Sequence, residues 1–325
     1  MSRIIQFQGQ RAAESHLDNV QLNIDPIVTE LVLGQPGPGE MPGARILKSV
    51  TAPAWNFQYR QNDLNRLKRF DTERGMRQPI KTGDFRYSMV SASLKRYSFG
   101  TLRDVDELQN AHPSLGLREA CGRFSKTIVD MNLERLRRDL LVTAGNYDSG
   151  NTLAIAGGSE WDSAGGDSKS DIRSMLAVIS GKTGLRYNQI GVFLPDKSLQ
   201  AALEDPLFNA TRSNWTSDTA DEMALQRYWG SGPVWSMNPV EADDDGVVAP
   251  MYGDVAILYY NSGVSGVDTM DGDLTFAVDF KYNGGVASKP FYNDLVTSWM
   301  FPWTAYDYPA IVTNFSGALI TNCAA

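Results

Sequence analysis

The residues best suited to chemistry in this chain of 325 residues are carboxylates, and they come in three groups. The stretch "YDSGNTLAIAGGSEWDSAGGDSKSDI" (147–172) holds Asp148, Asp162, Asp167 and Asp171; "DDDG" follows at 243–246 and "DTMDGD" at 268–273. Carboxylate oxygens are the donors that calcium and magnesium take. None of the groups has EF-hand spacing, however, and aspartate beside glycine is also what ordinary turns are made of. Two histidines, His16 and His112, and two cysteines, Cys121 and Cys323, are too few for a histidine-based triad, a multi-histidine or cysteine-rich zinc site, or a disulfide framework. Neither G-x-S-x-G nor a Walker loop is present. Two distant carboxylates converging in one pocket remain open as a hydrolytic arrangement. The aromatic group Trp299, Phe301, Trp303, Tyr306 and Tyr308 could hold a sugar or a base, but packing is the more ordinary use of such residues. The expectation is a chain with no catalytic residue, no cofactor and no metal.

Charge is distributed more informatively than its total of −8 suggests. Residues 44–103 carry a net +9, and residues 200–285 a net −11. A basic and an acidic module in one chain can attract each other across a subunit boundary, or the basic one can bind nucleic acid. No apolar run approaches the ~20 residues of a membrane span, and the polar start "MSRIIQFQGQRAAES" lacks the apolar segment of a secretory signal.

The elements that must position these residues follow from periodicity. "IDPIVTELVLG" (24–34) fits a short helix, and "GQPGPGEMPG" (34–43), with four glycines and three prolines, reads as a linker that no regular element crosses. "RILKSVTAPAWNFQYR" and "DFRYSMVSASLKRYSF" alternate like strands around a long charged tip, which makes 44–103 a large hairpin. An isolated two-stranded projection is marginal, so something else should cover it. Next comes a helix of about thirty residues, with Leu117, Cys121, Phe124, Ile128 and Met131 as its apolar stripe, continued by Leu133, Leu136 and Leu140. "SDIRSMLAVISGKTGLRYNQ" is a second helix, capped by Ser170 or Asp171, followed by the buried strand "QIGVFLP" and a short helix with Asp196 as its cap. "GDVAILYYN", "LTFAVDFKY", "LVTSWMFPWTAY" and "AIVTNFSGALITN" read as later strands. The class is α+β with insertions. An arm, a basic hairpin and a spine helix together suit a subunit that interlocks with copies of itself.

The order of elements, and above all "LRRDLLVTAGNYDSGNTLAIAGGSEWDSAGGDSKSDIRSMLAVISGKTGLRYNQIGVFLPDKSLQAALEDP", resembles the major capsid proteins of tailed bacteriophages across roughly 24–322. The resemblance implies the phage major capsid fold of the Hong Kong ninety-seven type. It divides the chain into an N-terminal arm (1–43), an extended β-hairpin loop (44–103), a peripheral domain with the long spine helix (104–167 plus part of 290–325) and an axial domain (168–289). It implies a structural protein rather than an enzyme, a head protein that forms hexamers and pentamers and an icosahedral shell around double-stranded DNA. Arg60, Arg66, Lys68, Arg69, Arg74, Arg77 and Lys81 of the loop become the expected intersubunit contacts. The implied partners are other copies, a separate scaffolding protein, a portal, an optional decoration protein and packaged DNA held by weak non-specific contact, with no membrane. The implied location is the virion, and the host cytoplasm during assembly. Under this resemblance 147–172 is a passage from the spine helix into the axial domain that needs no ligand. An encapsulin nanocompartment shares the fold, although this chain is longer than typical encapsulins and its "GSEWDSAGGDS" is more phage-like. A carboxylate-dependent hydrolase is the rival from a different class, and a nucleic-acid-binding protein using 44–103 a third reading.

Overall fold

The computed structural model describes residues 41–62, 73–74, 80, 88–110, 116–212, 221–242, 247–262 and 274–325. In chain order the elements begin with α1 (Pro42–Ile46), β1 (Lys48–Thr51), β2 (Asn56–Gln61), β3 (Ser88–Ser93), β4 (Lys95–Asp104), α2 (Val105–Asn110), α3 (Leu117–Val142) and β5 (Thr152–Ala154). They continue with α4 (Ser168–Thr183), β6 (Gly191–Leu194), α5 (Asp196–Glu204), α6 (Pro206–Arg212), α7 (Glu222–Trp229), β7 (Val234–Ser236), β8 (Val240–Ala242) and β9 (Val248–Pro250). The last are β10 (Val255–Tyr259), β11 (Ala277–Ala287), β12 (Phe291–Asn293), β13 (Ser298–Ile311) and β14 (Gly317–Thr321).

Two compact units share the chain. One takes 95–133 and 281–307 of the described residues; the other takes those within 40–94, 134–280 and 308–325. Each unit is discontinuous in sequence, because the chain enters it more than once.

The first unit is built on β4 and β13, antiparallel over ten pairs from Ser298↔Asp104 to Asp307↔Lys95, with β12 on the other side of β13. Trp303, Ala305 and Ala287 pack with Val129 and Leu133 of α3 in its core. The buried line of α3 here runs through Cys121, Ser125, Val129 and Leu133. That line departs from the expected stripe: Cys121 is buried, Leu117, Ile128 and Met131 are half-buried, and Phe124 is 53% exposed. Ser125 explains the rotation. Its hydroxyl donates to the Phe301 carbonyl (2.8 Å) and meets Thr101 Oγ1 (2.7 Å), so a small polar residue sits where an aliphatic one was expected. Phe124 instead meets Phe99 edge-on at 6.2 Å. The α3 helix has 26 residues, about 39 Å at 1.5 Å per residue.

The second unit has a five-stranded mixed sheet in the order β5-β14-β10-β6-β7. The last of these strands in sequence, β14, lies inside it, parallel to β5 and antiparallel to β10. Alternate residues supply two apolar layers. Val192, Leu194, Ala256, Leu258, Ala318 and Ile320 face a core shared with Ile172, Leu176 and Ile179 of α4, Ala201 and Ala202 of α5, Phe208 of α6 and Trp229 of α7. Phe193, Ile257 and Leu319 face a second core with Ile46, Leu47, Leu141, Tyr147 and Phe276. A sheet covered on both faces needs continuous apolar strands, and β6 is buried at all four positions.

Candidate assembly surfaces

The aspartates of 147–172 each have a separate structural task. Asp148 and Asn151 hold Lys182 Nζ at 2.7 and 2.5 Å, while Asn151 Nδ2 donates to the carbonyls of Phe315 and Gly317. Asp162 accepts the Ala325 backbone N–H (3.1 Å). Asp167 is the N-cap of α4, accepting the Ser170 N–H at 2.9 Å. This corrects the expected cap: Asp171 lies in the first turn and accepts the buried Trp161 indole N–H at 3.0 Å. Burial pushes the Asp171 carboxyl above its ordinary range, opposed by the Trp161 bond and reinforced by Asp167 and Asp205. Likewise Pro195, not Asp196, occupies the N-cap position of α5, with Asp196 in the first turn. Gly166 is required by close approach, since a Cβ there would lie 2.6 Å from the Trp161 carbonyl oxygen. Among the described residues no three His, Cys, Asp or Glu side chains converge as a metal site would require.

Asp205 of the "EDP" run is fully buried and joins two helix starts. One of its carboxylate oxygens accepts Ser168 N–H and Oγ–H (3.0 and 2.5 Å), the other the N–H groups of Leu207 and Phe208 (2.7 and 3.3 Å). The motif residues of 147–205 are thus fixed to packing and capping.

A buried polar knot that the sequence reading missed holds the start of the body. Glu134 and Arg137 point inward from α3, where Arg137 pairs with Asp279 at 2.7 Å and stands 3.6 Å from Glu134. Glu134 Oε1 accepts the Gly43 backbone N–H (2.5 Å) and the Tyr252 hydroxyl (2.7 Å). Burial, then Glu134, pushes the Tyr252 phenol well up. Gly43 lies so close that a Cβ would come within 2.6 Å of Arg137 Cβ. The linker reading needs correction at this point, since α1 begins at Pro42 with proline in its first turn. The signal was available: a Glu and an Arg three apart, flanked by Leu133 and Leu141, interrupt an apolar helix face.

The hairpin has one anchored face and one open face. Strands β2 and β3 pair antiparallel from Asn56↔Ser93 to Gln61↔Ser88. Phe57 and Tyr59 are buried, against Phe280 (4.7 and 5.3 Å) and Tyr308 (6.3 and 6.4 Å). Burial and Tyr308 push the Tyr59 phenol up to about 12. Asn56, Gln58, Ser91 and Ser93 are exposed on the other face. Of the expected contact residues, Arg60 sits half-buried on β2 and Arg74 is exposed; Arg66, Lys68, Arg69, Arg77 and Lys81 lie outside the described residues. In the aromatic group, Phe301, Trp303 and Tyr306 are buried on β13, whereas Trp299 is 37% exposed.

No family model and no curated protein sequence matches this chain. Solved structures do. A phage-related protein from Bordetella bronchiseptica RB50 superposes with a TM-score of 0.70 at 17% identity, over 92% of this chain and 97% of that one. The capsid of the cyanophage P-SCSP1u follows at 0.55 and 6% identity, over 85% and 86% of the two chains. The chain has the Hong Kong ninety-seven type capsid fold. The SrpI encapsulin of Synechococcus elongatus PCC 7942 has a TM-score of 0.52 at 12% identity, over 88% of this chain and 90% of that one. The long helix expected from sequence is the 26-residue α3, and β2 and β3 pair where the base of the large hairpin was expected. No helix among the described residues is long and apolar enough to cross a membrane.

Proposed function

We propose that this chain is the major head protein of a tailed phage, a structural subunit that assembles with its own copies into capsomers and a closed shell around double-stranded DNA. The observation that carries the proposal is the superposition on the Bordetella phage-related protein over 97% of that chain, with no large domain left over on either side. The anchored hairpin supports the same reading. Its base is fixed by aromatic packing, and contact with a neighbouring copy is assigned to the basic residues Arg60, Arg66, Lys68, Arg69, Arg74, Arg77 and Lys81. Exposed ion pairs contribute only on the order of 0–1 kcal/mol each, so the loop acts through many contacts repeated around the shell. A separate scaffolding protein, a portal and weak DNA contact complete the proposed partners, and a decoration protein is an optional addition. The proposed location is the virion, and the host cytoplasm during assembly.

Electron microscopy of the expressed chain, alone and with its assembly partners, tests this directly. Shells, tubes or isolated capsomers are expected; a persistent monomer overturns the proposal. Reversing Arg66, Lys68 and Arg69 together to glutamate is expected to abolish shells while leaving subunit melting unchanged, and intact shells from that variant would remove the loop from the mechanism. The encapsulin reading keeps a place because of the SrpI likeness. Nucleic acid inside particles purified from infected cells favours the phage head, and enclosed enzyme cargo favours the compartment.

A further inference from the structure

Lys182 lies in the last turn of α4, which Gly184 closes in the left-handed conformation at φ 76. Its Nζ donates to Asn151 Oδ1 (2.5 Å), to Asp148 Oδ2 (2.7 Å) and to the Ser149 carbonyl (2.7 Å). The Asn151 amide is fully buried and cannot turn, because its Nδ2 donates to the Phe315 and Gly317 carbonyls (3.2 and 2.6 Å). The backbone around it is equally fixed. The Asn151 N–H donates to the Asp148 carbonyl (3.0 Å), the Asp148 N–H to the Asn314 carbonyl (3.2 Å), and the Leu319 N–H to the Asn151 carbonyl (2.9 Å). An amine, a carboxamide and a carboxylate are thus held against one another, all within the second unit. A carbonyl bond is about 1.23 Å long, so Nζ lies no farther than about 3.7 Å from Asn151 Cγ. Reacting atoms in a near-attack arrangement stand roughly 3–3.5 Å apart.

We propose that Lys182 and Asn151 join in an isopeptide bond inside the subunit, formed by the chain itself with Asp148 as general base and acid. Asp148 takes one proton from the Lys182 ammonium, and the neutral amine adds to Asn151 Cγ. The Cγ–Nδ2 bond then breaks as two protons released by Nζ pass, one at a time through Asp148, to the departing nitrogen. The carbonyls of Phe315 and Gly317, which already hold Nδ2, accept from the ammonium as it forms. The products are a secondary amide between Lys182 Nζ and Asn151 Cγ, a restored Asp148 carboxylate and an ammonium ion, so no co-reactant is needed. Fixed geometry supplies the rate, since well-oriented intramolecular partners reach effective molarities of about 10⁵–10⁸ M. One turnover per chain is enough, because the ammonia departs and the bond stays. The Lys182 and Asp148 side chains are 23% and 28% exposed, which leaves ammonia a way to solvent. The bond ties α4 to the loop before β5, closing a ring between positions 31 apart in the chain. Such a closure restricts the unfolded chain as a disulfide does.

Mass spectrometry of the purified full-length chain is the test. The intact mass should fall short of the sequence mass by one ammonia, and a tryptic digest should yield a branched peptide joining 139–169 to 174–186, uncut at Lys182. Lys182→Arg keeps the cation and removes the nucleophile. Its mass should equal that of its sequence, and its melting temperature should lie below that of wild type. Asp148→Asn should form the bond more slowly, by about a hundredfold or more. Wild type that keeps its full mass over several days overturns the proposal, whatever the chain assembles into. Ammonia loss without the branched peptide also overturns it, because Asn151 has then closed on its own backbone. A denatured species of twice the subunit mass that carries the branched peptide overturns the placing of the bond inside one subunit. Bond formation at the wild-type rate in Asp148→Asn overturns the role given to Asp148.

Discussion

At the scale of single residues, the least forgiving position is Gly43. Its N–H supplies Glu134 and its missing Cβ makes room for Arg137, so a methyl group meets two members of a buried ionic knot at once. Overpacking of this kind costs about 1–3 kcal/mol. Gly43→Ala is expected to lower the unfolding free energy by that amount, read as a lower urea midpoint with an unchanged slope and a transition that stays cooperative. Asp171 offers a test by pH. Its folded pKa is raised, so the stability it contributes is fully present below its unfolded value of 3.8 and is lost as pH rises through the folded value. Asp171→Asn retains an oxygen for the Trp161 indole and has no charge to desolvate. The variant is expected to melt above wild type at neutral pH and to match it at about pH 3; a uniform shift at both pH values would contradict the assignment.

At the scale of elements, the hairpin depends on two rings. Phe57→Ala removes one, at about 3–5 kcal/mol for a buried phenylalanine; amide exchange in β2 and β3 should accelerate far more than in β6 or β10. Tyr59 adds an alkaline signature. Its pKa stands near 12 against an ordinary 10.0, so its contribution is complete below pH 10 and is lost as pH climbs through 12. Tyr59→Phe should remove that loss, as read by hairpin amide exchange. These elements also mark how far the sequence could be read. Alternation announced β2 and β3, short apolar runs announced β6, β10 and β14, and end chemistry announced α4, because such patterns are local. The α3 face was misjudged at Phe124 and Ser125, since the hydroxyl's partner is the Phe301 carbonyl, 176 residues away. In the Glu134–Arg137–Asp279 knot, the spacing of Glu134 and Arg137 on α3 was legible in sequence, but their partners Asp279, Gly43 and Tyr252 are brought together only by the fold. Helix α7 and the short strands β7, β8 and β9 were not anticipated, being too brief for periodicity to declare them.

At the scale of the whole molecule, the two units are interleaved in sequence, and the resemblance to capsid proteins lay in the order of elements rather than in any single residue. That is why solved structures match over nine-tenths of the chain at 17% identity or less, while no sequence family does. The position of β14 has a consequence for how the subunit is made. Translation delivers β5, β6 and β10 long before Gly317–Thr321, yet that strand lies between β5 and β10. Until it leaves the ribosome, the edges of β5 and β10 that it joins wait unpaired and the two cores lack Ala318, Leu319 and Ile320, a state prone to sticking and to capture by chaperones. A chain stopped after Ser316 is therefore expected to collect as aggregate or chaperone complex, and a soluble product with native tryptophan emission would contradict this. Under the proposed assembly the same delay would act as a timer: nascent chains crowded on one message would become able to join one another only after β14 has paired between β5 and β10.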